Sequence, residues 1–141
     1  MAFAFAVLAV GGLWFVTSLI PSQDIRKLGD FDKGSLRVPL SFSERYKRVQ
    51  LLIGATNHVE GSGQISVTEN GVLVYEYHFD LEKLTPCNWL DGKHLHGLII
   101  VWPMTDGQRP LEDIIHRNKS YDITVEIPET ENSSLWFSGV K

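Results

Sequence analysis

The feature that most constrains the fold is a pair of β-rich runs joined by two turn-forming residues. In GQISVTENGVLVYEYHF, hydrophobic and polar residues alternate on either side of Asn70-Gly71. A period of two is typical of a strand with one buried face, and Asn-Gly favours a type I′ turn because both central positions need a positive φ. We therefore predict a two-residue hairpin with two cross-strand pairs: Glu69 with Val72, and Val67 with Val74.

The same alternation recurs along the chain after Pro21. The run 36–42 contains Pro39, which has no N–H to donate to a sheet ladder, so we predict that it forms an edge strand. The run 121–127 begins with Tyr121 just after a corner, where a tyrosine hydroxyl can form a hydrogen bond back across the turn. Further strands are predicted at 49–53, 94–102 and 133–140.

These runs predict the fold class. About seven short strands separated by turn residues are typical of an antiparallel sandwich, and no long helical run is present to cover a parallel sheet. We predict an all-β protein, a single antiparallel immunoglobulin-like β-sandwich preceded by an N-terminal hydrophobic helix. A closed barrel is the alternative architecture.

The first residues of the chain carry no charged side chain before Asp24. Residues 3–15 resemble the apolar region of a secretory signal, and the nearly 20 apolar residues of 2–20 also reach the length of a membrane span. A buried core helix is a third interpretation, which Gly11-Gly12 disfavours. We predict a signal peptide or membrane anchor at 1–22 and a β-sandwich domain at 23–141.

Location follows from that segment. Basic residues follow the apolar run and none precedes it, which by the positive-inside rule would keep the domain in the cytoplasm. Acidic residues are interleaved with these basic residues, which weakens that rule here. The domain that follows resembles extracytoplasmic domains, and this favours export. We expect the protein in the cell envelope, either periplasmic or anchored in the membrane and facing the periplasm.

Charge and cysteine content exclude several classes of function. The net charge is −4 and no dense basic run is present, so nucleic acid is not an expected partner. Cys87 is the single cysteine, which rules out an internal disulfide, a four-cysteine zinc site and a CxxC redox pair. Its neighbours Pro86 and Asn88 carry no charge, so we expect an inert, buried thiol. No cofactor is expected.

Two longer stretches carry a family resemblance. GDFDKGSLRVPLSFSERYKRVQLLIG combines Phe-Asp and Lys-Gly with two alternating strands around Ser-Glu-Arg-Tyr, and NKSYDITVEI supplies a strand led by a tyrosine. Over most of 30–141 the chain resembles an uncharacterised family of small exported bacterial β-sandwich proteins, some of them immunity-like. It departs from that family in lacking a cysteine for lipid attachment and a basic N-terminal region. The resemblance implies binding of a protein partner and no catalytic residue.

A partner-binding surface is predicted in the longest irregular stretch, 85–96, because long loops often carry function and aromatic residues dominate binding hot spots. The candidates are Asn88, Trp89 and His94, together with Trp102, which ends a strand where a sandwich presents its loops. The aromatic run Tyr75 to Phe79, with Leu73 on the same face, is instead expected to lie in the core.

A metal site is the alternative at the same place. His94 and His96 are two residues apart on a predicted strand, so their imidazoles point to one face and could share a metal ion. A third ligand would have to come from a neighbouring segment. The candidates are His78, Asp80 and Asp91.

Three functions are therefore open. We expect a non-enzymatic binding protein of the cell envelope, exported or anchored through 1–22, which acts by protein–protein contact as an immunity-like or accessory factor. The first alternative is a metal-binding protein or enzyme that uses the His-x-His pair. The second is a structural envelope subunit whose edge strand 36–42 pairs with another chain.

Overall fold

The computed structural model describes residues 23–42, 46–87, 95–103 and 110–141, with the backbone alone at residues 23, 95 and 96. These residues form two antiparallel sheets that enclose a hydrophobic core, which confirms the predicted all-β sandwich. The hydrophobic helix expected at the N terminus falls in 1–22 and lies outside the described residues. Within the described part of the chain, no helix is long and apolar enough to cross a bilayer.

Nine strands and two 3₁₀ turns make up the described fold. The turns span Leu81–Lys83 and Leu111–Asp113. The strands are β1 (Gln23–Asp30), β2 (Ser35–Ser41), β3 (Arg48–Ala55), β4 (Ser62–Glu69), β5 (Val72–Asp80), β6 (Thr85–Pro86), β7 (Leu95–Trp102), β8 (Ser120–Glu126) and β9 (Ser134–Val140).

The strands are divided between a five-stranded sheet of order β1-β9-β3-β7-β6 and a four-stranded sheet of order β2-β8-β4-β5. The chain changes sheet after each of its first three strands, and the first strand pairs with the last. This is the jelly-roll arrangement of a sandwich. An immunoglobulin domain keeps its first two strands in one sheet, so that part of the prediction is wrong.

The predicted hairpin is present, with one correction. Asn70 has φ 51° and Gly71 φ 80°, as a type I′ turn requires. Glu69 faces Val72 as predicted, but Val67 faces Tyr75 because a bulge shifts the register. A bulge adds one residue and so reverses the face of the side chains beyond it, which explains why Leu73 is 52% exposed rather than in the core.

The remaining strand predictions are largely confirmed. β2, which contains Pro39, lies at the edge of its sheet. The inward residues of β8 and its continuation are all buried, and the backbone N–H of His116 donates a 2.7 Å hydrogen bond to the hydroxyl of Tyr121. The thiol of Cys87 is buried. Two strands were missed: β6 is two residues long, and the polar sequence QDIRKLGD of β1 lacks clear alternation.

The core lies between the sheets. Its largest fully buried side chains include Trp102, Tyr121, Phe42 and Phe137. Tyr75 and Phe79, each 6% exposed, belong to it as predicted. Burying an aliphatic or aromatic side chain of this kind stabilises a fold by about 1.5–3 kcal/mol, so this cluster holds the two sheets together.

Candidate functional site

Most of the residues predicted to bind a partner or a metal lie outside the described chain. Asn88, Trp89 and His94 fall in 88–94, which the structure does not describe. The backbone of His96 is placed on β7, opposite Gly54 of β3, and its side chain is not described. Within the described residues, no group of three His, Cys, Asp or Glu side chains could hold a metal ion. The His-x-His site therefore stays a prediction.

Trp102 is described, and it is not a surface residue. Its side chain is 1% exposed, and its ring centroid lies 5.3 Å from that of Phe42. Its indole N–H donates a 2.9 Å hydrogen bond to the carbonyl oxygen of Ile115. The guanidinium of Arg117 lies 4.7 Å from the ring centroid, where a cation is attracted to the aromatic face. The proposed contact with a partner at Trp102 is therefore corrected: this side chain closes one end of the core.

A cleft of about 600 Å³ opens at the opposite end of the five-stranded sheet. We call it the Trp136 cleft. The ends of β1 and β3 and the beginning of β9 surround it, since Asp30 pairs with Ser134 and Ser134 pairs with Gly54 across the three strands. The residues that line it include Lys27, Asp30, Phe31, Thr56, Asn132 and Trp136.

Strand alternation points Trp136 into this cleft. Its neighbours Leu135 and Phe137 are 0% and 1% exposed and belong to the core between the sheets. Successive residues of a strand face opposite sides of the sheet, so Trp136 lies on the outer face. Its indole N–H donates a 2.8 Å hydrogen bond to the hydroxyl of Ser134, which fixes the ring against the strand.

Charge in the cleft is balanced. The ammonium of Lys27 lies 2.6 Å from a carboxylate oxygen of Asp30, and the two side chains are 46% and 70% exposed. Both are on β1 and reach the same face because a bulge lies between Lys27 and Gly29. The cleft therefore offers a cation and an anion side by side, with no net charge from the pair.

Asn132 adds an amide at the rim of the cleft. It sits in the turn before β9 with φ 54°, a left-handed conformation that asparagine tolerates better than most residues. The next residue, Ser133, is 2% exposed, and its hydroxyl donates a 2.8 Å hydrogen bond to the carbonyl oxygen of Thr130. The Ser133 hydroxyl thus holds the backbone of the turn from which the Asn132 side chain projects.

A second cavity is smaller and more apolar. It measures about 110 Å³ and lies between β3 and the 3₁₀ turn that follows β5, with Ile53, Val59 and Leu81 among its lining residues. Ligand sites usually occupy about 300–1,000 Å³. The Trp136 cleft falls within that range and the second cavity does not, so the cleft is the candidate functional site.

Sequence reasoning did not assemble the cleft. Lys27 and Asp30 were treated as charges that follow the apolar segment, and Asn132 appears in the sequence as part of a glycosylation motif. The sequence signal that could have found the site is the polar run TENSS directly before a strand with an outward tryptophan.

Comparisons with known proteins give only distant likenesses. No family model matches the chain, and no curated protein matches it in sequence. Solved structures resemble it at low identity. A carbohydrate-binding module specific for non-crystalline cellulose, CBM28, has a TM-score of 0.38 and 16% identity over 83% of this chain and 72% of its own.

Two further solved structures are similar to this chain at comparably low TM-scores and sequence identities. The carbohydrate-binding module CBM36, in complex with calcium and xylotriose, has a TM-score of 0.35 and 11% identity over 84% of this chain and 88% of its own. Dimeric latent PorU from Porphyromonas gingivalis has a TM-score of 0.34 and 10% identity over 86% of this chain and 12% of its own. Similarities this distant carry no inference about ligand or activity.

Proposed function

We propose that the protein is a non-catalytic binding protein and that the Trp136 cleft takes a neutral, polyhydroxylated ligand such as a short oligosaccharide. The observation that carries the proposal is a single cleft that combines aromatic side chains, hydroxyls, an amide and a charge-balanced ion pair. Its volume of about 600 Å³ accommodates a small ligand.

The chemistry of the lining supports this class of ligand. A sugar presents hydroxyls at its rim and C–H groups on its ring faces. The carboxylate of Asp30 can accept hydrogen bonds from hydroxyls, and the amide of Asn132 can both donate and accept them. The indole of Trp136 offers an apolar surface whose negative face attracts C–H groups. Because the charges of Lys27 and Asp30 offset each other, the pair gives the cleft no preference for an anionic or a cationic ligand.

The arrangement also argues for binding rather than hydrolysis. Hydrolysis of a glycosidic bond generally uses two facing carboxylates at a defined separation. Among the described lining residues, Asp30 is the sole carboxylate, and its oxygen is paired with Lys27. We therefore expect the protein to hold its ligand without converting it.

A matched pair of asparagine variants tests the proposal. Asn132→Gly removes the cleft amide and keeps a residue that accepts the positive φ. Asn118→Gly makes the same change at φ 62°, in the turn near Phe42 at the other end of the sandwich. We would measure binding of soluble cello-, xylo- and malto-oligosaccharides by isothermal titration calorimetry.

The expected result is binding of at least one series, weakened about tenfold by Asn132→Gly, which corresponds to the loss of about one hydrogen bond to the ligand, and unchanged by Asn118→Gly. The proposal fails if the folded wild-type protein binds none of the three series, or if both variants lose affinity equally.

The location in the cell envelope is likewise a proposal, which rests on the apolar segment 2–20. The intact mass of the protein purified from its own cells tests it. Removal of roughly 18–22 residues, a loss of about 1.9–2.4 kDa, indicates a cleaved signal peptide. A full-length chain in the membrane fraction indicates an anchor, and a full-length chain in the cytosolic fraction contradicts both.

The protein partner predicted at Asn88, Trp89 and His94 also remains a proposal, separate from the cleft. Trp89→Ala tests it, since we expect this variant to remain folded and to lose a partner captured by the wild-type protein. Equal capture by both would remove Trp89 from the binding surface.

A further inference from the structure

The four sheet edges differ in how they are protected against pairing with another strand. An edge strand exposes unpaired N–H and C=O groups, and proteins usually protect it with bulges, basic residues, proline or short length. β1 has a bulge and the basic residues Arg26 and Lys27. β2 contains Pro39, and β6 is two residues long. These three edges are poorly suited to pairing with a further strand.

β5 is the exception. It spans nine residues, VLVYEYHFD, without proline, lysine or arginine, and it forms one edge of the four-stranded sheet. No other strand within the described ranges pairs with its outer side. At its start, Val72 and Leu73 are 65% and 52% exposed, the highest values among the large hydrophobic side chains of the described chain. The bulge of β5 lies at Val74, near its start, so residues 75–80 form a regular edge and the exposed residues before them make it partly apolar.

We propose that two copies of this chain pair along β5, antiparallel about a two-fold axis, to form a continuous eight-stranded sheet. This interface is independent of the Trp136 cleft, which lies on the other sheet. A two-fold axis makes the contact closed and self-complementary, so assembly stops at the dimer.

The charges on β5 favour one register. Glu76 and His78 lie on the same face of the strand, with a histidine nitrogen 2.7 Å from a glutamate oxygen. If Glu76 lay on the axis, it would face its own copy, and like charges directly opposite are destabilising. With Tyr77 on the axis, each Glu76 instead faces His78 of the second copy, whose imidazole can donate a hydrogen bond to the carboxylate.

The same register accounts for the exposed residues at the start of the strand. Counting outward from Tyr77 and allowing for the bulge at Val74, Leu73 reaches the level of residue 80 of the second copy, and Val72 the level of residue 81. Residue 80 is the last of β5, and residue 81 begins the Leu81–Lys83 turn that follows it. Each copy therefore places its two exposed hydrophobic side chains beside the end of β5 of the other, where they lose contact with water.

A hydrogen bond on the solvent face of the four-stranded sheet already holds Glu76 in place. The side-chain amide of Gln64 on β4 donates a 3.0 Å hydrogen bond to Glu76, whose side chain is 37% exposed. The carboxylate is thus held in place before pairing, which reduces the side-chain entropy lost on association.

Charge-exchange variants test the proposal by sedimentation equilibrium across a range of concentrations. His78→Asp places two carboxylates opposite one another twice per dimer, and Glu76→Lys removes the carboxylate that accepts from His78 at both pairs. We expect a concentration-dependent wild-type dimer and an approximately tenfold weaker association for each variant. Glu131→Lys, at an exposed position in the turn before β9, makes the same change in charge as Glu76→Lys away from this edge and should leave association unaltered.

Mixing the two variants provides the decisive measurement. In a mixed dimer the introduced lysine faces the introduced aspartate, and the remaining Glu76 faces the remaining His78, so association should return to the wild-type level. A wild-type protein that remains monomeric at several hundred micromolar overturns the proposal. A dimer that neither single variant weakens, or a mixture that does not recover, overturns the β5 register.

Discussion

The two ends of the sandwich use tryptophan in opposite ways. Trp102 lies opposite Val49 at the start of β3 and is buried, whereas Trp136 lies on β9 opposite Leu52 of β3 and lines a cleft that extends to the end of that strand. Both indole N–H groups donate hydrogen bonds within the chain. What differs is the face of the sheet from which each ring projects, because Trp102 points into the core and Trp136 points away from it.

The two ends differ in that side chains fill the core at one and line a cleft at the other. The Trp102 end is filled by aromatic contacts with Phe42 and by the segment that carries Ile115. The Trp136 end is lined by side chains from three strands and leaves a volume that a ligand can occupy. Substitutions at the first end should therefore change mainly stability, and substitutions at the second should change mainly affinity.

The largest effect is expected for Trp102→Ala. The change leaves a cavity in the core and leaves the carbonyl of Ile115 without its donor, so the free energy of unfolding should fall by about 3–5 kcal/mol. Urea denaturation measures it. Trp102→Phe, which keeps an aromatic ring, should cost less. A loss below about 1 kcal/mol for the alanine variant would show that this end is not part of the core.

Trp136→Ala should destabilise the protein less, by about 2 kcal/mol, because the ring is partly exposed. In contrast to Trp102→Ala, it should abolish binding of the oligosaccharide ligand to a protein that is still folded. The same denaturation experiment and calorimetric titration check both expectations. If affinity survives this substitution, the aromatic surface is not part of the ligand site.

Tyr121→Phe tests the hydrogen bond that braces the corner at the Trp102 end. The variant keeps the ring and loses the hydroxyl that accepts from the N–H of His116, at a cost of about 1 kcal/mol in unfolding free energy. Ligand affinity should not change. An unaltered denaturation midpoint would mean that water replaces the hydroxyl without penalty.

The smallest change in stability is expected for Lys27→Ala, below about 0.5 kcal/mol, because its ion pair with Asp30 is solvent-exposed. Arg37→Ala is the matched control, since it removes an exposed ion pair with Asp122 on the other sheet. The two variants should be equally stable, and Lys27→Ala alone should weaken ligand binding. Equal affinity for both would exclude the ion pair from the site.

Local features of the fold were readable from the sequence. Asn70-Gly71 predicted a hairpin because few other residues adopt two successive positive φ angles, and Pro39 predicted an edge strand because it cannot donate to a ladder. Tyr121 predicted a hydrogen bond back across the corner before β8, and its hydroxyl accepts one from the N–H of His116. The bulge opposite Val67 and the exposure of Leu73 were not predicted, since a bulge depends on how two strands twist and pack rather than on either strand alone.

The candidate site was not predicted, for a related reason. Lys27, Gly54 and Trp136 are far apart in sequence and meet because β1, β9 and β3 are neighbours in one sheet. The sequence suggested a surface role for Trp102 from its position at a strand end. The structure places it in the core because the Ile115 segment folds over it.

The sequence by itself determined that this chain forms short antiparallel strands joined by specific turns, because alternation and turn chemistry are properties of neighbouring residues. Tertiary structure decided the jelly-roll strand order, the faces on which Trp102 and Trp136 lie, and the position of β5 at the edge of its sheet. These depend on which distant strands pair, and pairing is selected by the burial of the whole core rather than by any single segment.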